Sequence, residues 1–587
     1  MESNVDYNNA YERSLISACD CGQLEVVKQM IKGGADVNMQ DGGKTPLIVA
    51  CFKEHLHVVK ELIKAGADVN LRNEFISPLQ VACYEGHLSI VKELTKAGLI
   101  NVNKGLIGAC FFGHFSVVKE LTACHVEVNL KHEKETPLTT AIIMGHLNIF
   151  KELIKAGADI KLTGSRTPLT CACYRGLIHI VRELIKAGAD VNHSDEKGTP
   201  LTTACEGGHG DVVFDLIKAG SDVNQSDGNS TPLTIACERG HGDLVKRLIK
   251  AGADVNQSDG NKIPLITACE RRHSGVVMDL IRAGADVNQS NGNKTPLAIV
   301  CENGHDYVIE ELIKAGADVN QNDGNKTPLT IACERGHDYV IKELIKVGAD
   351  VNQNDGNKTP LTIACERGHD YVIKELIKVG ADVNQNDGNK TPLTTACERG
   401  HSCVVGELIK AGADVNQNDG NKTPLTTACE RGHDRVVEEL IEAGADVNQN
   451  DGNKTPLTTA CERGHDRVVG ELIKAGADVN QNDGKKTPLT TACERGHEFV
   501  VWTLINAGAD VNQSDGNKTP NTAACESGSY FVMNYLTLAK AAVNQSDGKG
   551  TPLTTAYYEK CIFFYLIILS RKLEQLLIDV MELNQRG

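Results

Sequence analysis

Cysteine and histidine are the residues of this chain best suited to do chemistry, and both recur at fixed positions. Of 21 cysteines, sixteen occupy one register: Cys19, Cys51, Cys83, Cys110, then Cys173 and every 32 residues to Cys525. Of 19 histidines, fourteen share another, usually after glycine, as in His337 and His465. A zinc site needs paired ligands at spacings such as C-x-x-C or H-x-x-x-H. The nearest pairs, Cys19/Cys21 and Cys171/Cys173, are C-x-C with no second pair beside them. A disulfide needs Cα atoms within about 7 Å, whereas packed helices lie about 8–10 Å apart, so neighbouring copies should not join. The cysteines therefore read as small buried apolar residues in a reducing compartment. The histidines read as packing and turn residues, because no carboxylate, Cys or Ser converges on any one of them. Neither a metal nor a cofactor is expected.

Two further motifs dissolve on inspection. Gly43-Lys44-Thr45 has the ending of a phosphate loop, but Asn38 stands where that loop needs glycine, and Pro46 follows. Eight asparagines from Asn229 to Asn517 open N-x-T sequences, each followed by proline. Glycosylation is not expected there without a secretory leader, and residues 1–12 are polar and acidic. No reactive residue occurs once beside a partner of matching chemistry, so an enzyme is not expected.

The bulk properties agree. The 587 residues carry 61 basic and 77 acidic side chains, a net charge of -16. That balance argues against a nucleic-acid binder or a ligand of anionic membranes, which need a basic face. Aromatics are 4% of the chain, too few for one deep core, so small aliphatic residues must bury many thin layers. The longest apolar run, Cys561–Leu569, has nine residues, short of the ~18 of a membrane span. An intracellular, cytoplasmic monomer is expected, with the nucleus left open.

What positions these residues is a repeat. Thr-Pro or its equivalent recurs at 45–46, 77–78, 136–137 and 167–168, then every 32 residues to 551–552. With a divergent first copy and a degenerate one at Lys104-Gly105, there are eighteen copies over about residues 11–572. Residues 327–358 and 359–390 are identical. In repeat 15, residues 455–486, Thr455 can cap a helix whose first turn accepts Pro456. Leu457, Ala460 and Cys461 mark its buried face, and Gly464 ends it. A second helix is predicted over Asp466–Ala475, with Val468, Val469, Leu472 and Ile473 forming one apolar stripe. Gly476 stops it, Asp478-Val479-Asn480 reads as extended, and Asn482-Asp483-Gly484 as a turn. Neither helix can bury its stripe alone, so neighbours must stack into a solenoid.

The pattern T-P-L-x-x-A-x-x-x-G-H-x-x-V-V-x-x-L-I-x-x-G-A-D-V-N resembles the ankyrin repeat family, and it covers over 90% of the chain. The resemblance implies an all-α ankyrin-repeat solenoid of 17–18 repeats, each a helix–turn–helix with a short hairpin-like finger. Two departures are systematic. Threonine follows T-P-L where the family carries histidine, so an inter-loop histidine hydrogen bond is replaced or lost. The period is 32 where the family usually has 33, which shortens the finger and leaves the helices intact. Three regions follow: 1–166, divergent repeats with an N-terminal cap; 167–518, regular repeats; and 519–587, degenerate repeats with a C-terminal capping helix.

The family's function is protein binding, in a concave groove lined by finger tips and the ends of the first helices. There the sixth and seventh residues after the repeated proline (or its equivalent) differ along the chain. Repeats 8, 9 and 11–16 carry Glu-Arg, as in Glu238-Arg239, Glu334-Arg335 and Glu462-Arg463. Repeats 2–6 carry Phe52-Lys53, Tyr84-Glu85, Phe111-Phe112, Ile143-Met144 and Tyr174-Arg175. An apolar stripe on a face charged elsewhere is a candidate partner site; otherwise these side chains fold against neighbouring fingers. The sites expected to bind an unknown protein are Phe52, Tyr84, Phe111, Phe112, Ile143, Met144, Tyr174 and Arg175. The finger between repeats 3 and 4 is truncated, which should open the groove beside Phe111 and Phe112. The Glu-Arg array reads as a self-neutralising spacer surface.

Three smaller expectations remain. Trp502, the single tryptophan, stands at an outer position that is Lys, Glu or Gly in most repeats, as a partner contact or an incidental exposed ring. The Asn of G-A-D-V-N, eight residues after a leucine as in Leu472 and Asn480, is similar to substrates of an asparaginyl hydroxylase of ankyrin repeats. At the C-terminus, Leu573, Leu576, Leu577, Val580 and Leu583 fall at helical spacing. They form a capping helix over repeat 18, whose Leu566 and Ile567 need cover. The alternative is a membrane- or cytoskeleton-linked protein tethered by this apolar segment.

Overall fold

The computed structural model describes residues 15–559 except 74–75, 99–102, 125, 132–134, 162–165, 261, 325, 357, 389, 421, 453, 483–485 and 548–549, with scattered positions from 563 to 577. Each repeat is a pair of short helices, such as Pro46–Phe52 with Leu56–Lys64, Pro328–Arg335 with Asp338–Lys346, and Pro456–Arg463 with Asp466–Lys474. The threonine before proline caps the first helix: Thr455 Oγ1 accepts from the Thr458 amide at 3.1 Å. Proline occupies the first turn, where its missing N–H breaks no helical bond. Gly464 ends that helix at φ 80°, a left-handed conformation that most side chains resist. The second helix ends at Lys474, one residue short of the expected Ala475.

The helices pack like with like. The chain has two compact parts, Met1–Gly292 and Asn293–Gly587. Within each of them, first helices of consecutive repeats lie side by side, as do second helices, and each pair packs internally. The core is a thin repeating layer. In repeat 15 it comprises Leu457, Ala460, Cys461, Val468, Val469 and Leu472, each at most 1% exposed. Ile473, expected in that stripe, is only half-buried. At 100° per residue it lies at the edge of an arc whose centre Val469 and Leu472 already fill.

The fingers correct one expectation. Val479-Asn480 forms a turn, not an extended segment. Asp478 Oδ1 accepts the Asn480 amide at 2.9 Å, and this side-chain bond bends the backbone back on itself. Further out, isolated antiparallel bridges such as Asp323–Lys326 and Asp419–Lys422 close hairpin-like tips.

The histidine missing after T-P-L is replaced rather than lost. Thr327 donates its amide (2.6 Å) and hydroxyl (3.0 Å) to Asp355 Oδ2 of the next finger. Thr330, at the position in question, donates its hydroxyl to the same oxygen. In repeat 17 Asn521 stands where leucine is usual; it is buried, and its amide donates to the Ala542 carbonyl at 3.1 Å. The truncated finger at 99–102 lies outside the described residues. The helix that follows, Asn103–Phe112, begins without Thr-Pro and runs ten residues. The expected capping helix over 573–584 falls largely outside them too. Of its stripe, the described Leu573 and Leu577 are each 61% exposed, and Leu566 of repeat 18 is 50% exposed.

Candidate partner-binding face

The last turn of each first helix and the finger beside it share one face of the stack. Repeats 2–6 place the sequence-selected residues there, in three arrangements. Tyr84, Phe111 and Phe112 form a cluster: the Phe112 centroid lies 5.9 Å from Tyr84 and 5.0 Å from Phe111, edge-on to the latter. Phe112 also stacks on His114 at 6.3 Å, and His114 Nε2 donates to the Tyr84 carbonyl at 2.8 Å. Tyr84 lies on the bare backbone of Gly108, where a methyl group would sit 1.8 Å from its ring. It is half-buried and so part of the packing, whereas Phe111 and Phe112 remain 46% and 55% exposed.

Phe52 and Tyr174 are exposed but face cations. The Lys53 ammonium lies 5.5 Å from the Phe52 centroid, and the Arg166 guanidinium 4.7 Å from that of Tyr174. Tyr174 and Arg175 line an open depression of about 430 Å³ with Glu206, Gly207, His209 and Arg239. Met144 is exposed and Ile143 half-buried. The face in repeats 2–6 is therefore aromatic and cationic, with its rings mostly available.

The same face in the later repeats is a closed ladder. From repeat 10 to repeat 15 each glutamate accepts from the arginine one repeat on, as in Arg335–Glu302 at 2.7 Å, Arg367–Glu334 at 2.6 Å and Arg463–Glu430 at 2.7 Å; at repeat 10 Asn303 replaces the arginine that would meet Glu270. The other oxygen of each paired glutamate accepts from the lysine of the preceding finger, as Glu398 does from Lys390. The Lys390 hydrogen bond, helped by Arg431 against an opposing burial cost, pulls the Glu398 carboxyl down to about 2. Where Ser527 interrupts the series, Lys518 bridges both Glu494 (2.9 Å) and Glu526. Both partners of each pair are already engaged with each other, so this stretch presents little unsatisfied charge.

The histidines carry an interaction that the sequence reading missed. His497 Nε2 donates to the Glu462 carbonyl, 35 residues back, at 3.1 Å, and the bond recurs at His433, His465 and others. The repeated Gly-His pair was its trace: the ring lies over the glycine that ends the previous repeat's first helix. The G-A-D-V-N asparagine is engaged at both ends. Asn352 donates to the Gly380 carbonyl at 3.2 Å and accepts from the Asp382 amide at 2.8 Å. An enzyme modifying its side chain has to meet it with these inter-repeat bonds opened.

The cysteines behave as core. Burial raises their thiols, in Cys205 to about 12. Among the twenty described, only Cys21, Cys124 and Cys403 are exposed. Because the thiolate is the reactive form, a thiol reagent should label these three rapidly in the folded protein. The remainder should react only on unfolding. Rapid labelling of Cys333 or Cys365, mapped by peptide mass spectrometry, would contradict this packing.

The matched family is that of the ankyrin repeats. A model of three ankyrin repeats fits in overlapping placements from residues 15–105 to 472–547. The chain belongs to the ankyrin repeat family, a family of non-catalytic protein-binding folds. It is similar to the ankyrin repeat domain of human ASB11 in a crystal structure, at 27% identity over 37% of this chain and 99% of that one, with a TM-score of 0.35. None of the curated proteins matches it. No helix among the described residues is long and apolar enough to cross a membrane.

Proposed function

We propose that the protein is a non-enzymatic scaffold that holds a partner protein against the aromatic face of repeats 2–6. The observation that carries this is the contrast along one register. Phe52, Phe111, Phe112 and Tyr174 are exposed where later repeats carry Glu-Arg pairs bonded to each other. Exposed aromatic rings give a partner large contact area at low entropic cost, whereas the paired charges offer little net affinity. Arg175 and the cations beside Phe52 and Tyr174 favour a segment with apolar anchors flanked by acidic residues. The repeats with the closed ladder then serve as a spacer.

The test is a pull-down from cytosol read by mass spectrometry. It compares the wild type with a variant carrying Phe52→Arg, Phe111→Glu, Phe112→Arg and Tyr174→Glu. Tyr84 is left in place because it packs on Gly108, and circular dichroism checks that the variant folds. Loss of one partner, by tenfold or more in recovered amount, is expected, since buried aromatic anchors dominate interface energies. An unchanged set of bound proteins sinks the assignment.

A further inference from the structure

The outer face of the last full repeats breaks a rule that the preceding ones keep. Four positions of each second helix point outward, away from the first helices. In repeats 10–15 these positions always include a glutamate, from Glu311 to Glu471, followed by Lys or Glu three residues on. Several pair on their own helix, as Lys346–Glu343 and Lys474–Glu471 do. In repeat 16 the same positions are Phe499, Trp502, Thr503 and Asn506, and in repeat 17 Phe531, Asn534, Tyr535 and Leu538. All eight are uncharged. Phe499 is 65% exposed, Trp502 54%, Phe531 55% and Leu538 71%. The two helices, Glu498–Asn506 and Tyr530–Leu538, are packed neighbours. Residues at i, i+3 and i+7 share one helix face, so the four side chains form one patch.

We propose that this patch is a self-association surface, on which a second copy of the chain docks about a two-fold axis. Two observations select that occupant. The first is charge. Each copy carries a net charge of -16, so copies repel unless they meet where there is no charge. A neutral apolar face is complementary to itself, whereas a charged partner finds nothing here to pair with. The second is area. A large side chain exposes about 150–250 Å², so the four residues offer on the order of 400–500 Å² per copy. Doubled by symmetry this is about 800–1,000 Å², and the exposed Asn506 with the half-buried Thr503, Asn534 and Tyr535 bring the contact to about 1,200 Å², the low end of stable interfaces. Such pairing replaces the monomer expected from sequence. The patch shares no residue with the face of repeats 2–6.

The single tryptophan makes the test direct, because Trp502 lies inside the patch and nothing else in the chain shares its fluorescence. Sedimentation equilibrium of the full chain, from nanomolar to high micromolar, should show the mass rising from 63.2 kDa to twice that value. Trp502 emission should shift to the blue with the same midpoint. A Phe531→Lys/Leu538→Lys variant, which keeps Trp502 and changes only exposed positions, should dissociate more than about tenfold more readily. Its circular dichroism should be unchanged. The proposal fails if the protein stays at 63.2 kDa throughout with red-edge emission. It fails equally if the variant associates like the wild type. A blue shift produced in a monomer by phosphatidylcholine vesicles overturns it in favour of a lipid surface.

Discussion

Gly464→Ala is expected to destabilise the junction of repeats 15 and 16 by about 2–3 kcal/mol, the sum of two separable costs. Gly464 has φ 80°, where an L side chain costs about 1–2 kcal/mol. An added Cβ would also sit 2.7 Å from Nδ1 and 2.8 Å from Cε1 of His497. That ring is held by its bond to the Glu462 carbonyl. To make room it must give the bond up, at about 0.5–1.5 kcal/mol. Gly476 is the internal control. Its φ is 87°, but a Cβ there meets nothing within 4 Å, so Gly476→Ala should show only the first cost. In a His497→Ala background the two alanine substitutions should become equivalent. Hydrogen exchange resolved by repeat is the suitable readout, because stability in a solenoid is a nearest-neighbour property and the loss should stay local. Equal effects of the two substitutions in the wild type would show that the histidine does not constrain the glycine.

Asp355→Ala should cost about 2–4 kcal/mol, through the buried Thr327 amide and one threonine hydroxyl left without an acceptor, since the Thr327 and Thr330 hydroxyls, 2.8 Å apart, can satisfy only one of their two donors between them. Asp355 is 8% exposed and serves Thr327 and Thr330 of the preceding repeat, both at most 1% exposed. Removing an acceptor while its donors stay buried costs the full desolvation penalty of each donor. Thr330→Val, which deletes one donor and keeps the shape, should cost only about 1 kcal/mol. In the double variant the two changes should be less than additive, since the valine no longer misses the carboxylate. A loss below about 0.5 kcal/mol for Asp355→Ala, measured by chemical denaturation, would mean that water serves the threonines in place of the finger.

Much of the architecture was legible in one copy of the repeat. The period, the threonine cap, the proline in the first turn and the alternation of buried Leu, Ala, Cys and Val are local rules, and eighteen copies of one pattern leave little ambiguity. The ladder of glutamate and arginine was visible as a repeated pair. The finger was misread at Val479-Asn480 because its turn depends on one side-chain bond from Asp478, and Asp-x-Asn fits an extended segment equally well by composition. Trp502 stood out in the sequence, but Phe499, Phe531 and Leu538 did not, because a patch across two helices is scattered over forty residues of chain.

By itself the sequence determined the class of fold, the repeat boundaries, the buried register and the absence of a repeated charge in the first-helix ends of repeats 2–6. These depend on spacing within 32 residues. Only the tertiary structure decided which partner each polar group takes. The histidine meets a carbonyl 35 residues back, the Thr-Asp network spans 25 to 28, and the asparagine amide spans 28 to 30. It also separated Tyr84, packed on Gly108, from the exposed Phe111 and Phe112. The reason is physical. Helix and turn preferences act over a few bonds, whereas hydrogen bonding and exposure depend on which groups the stacking of neighbours brings within a few ångströms.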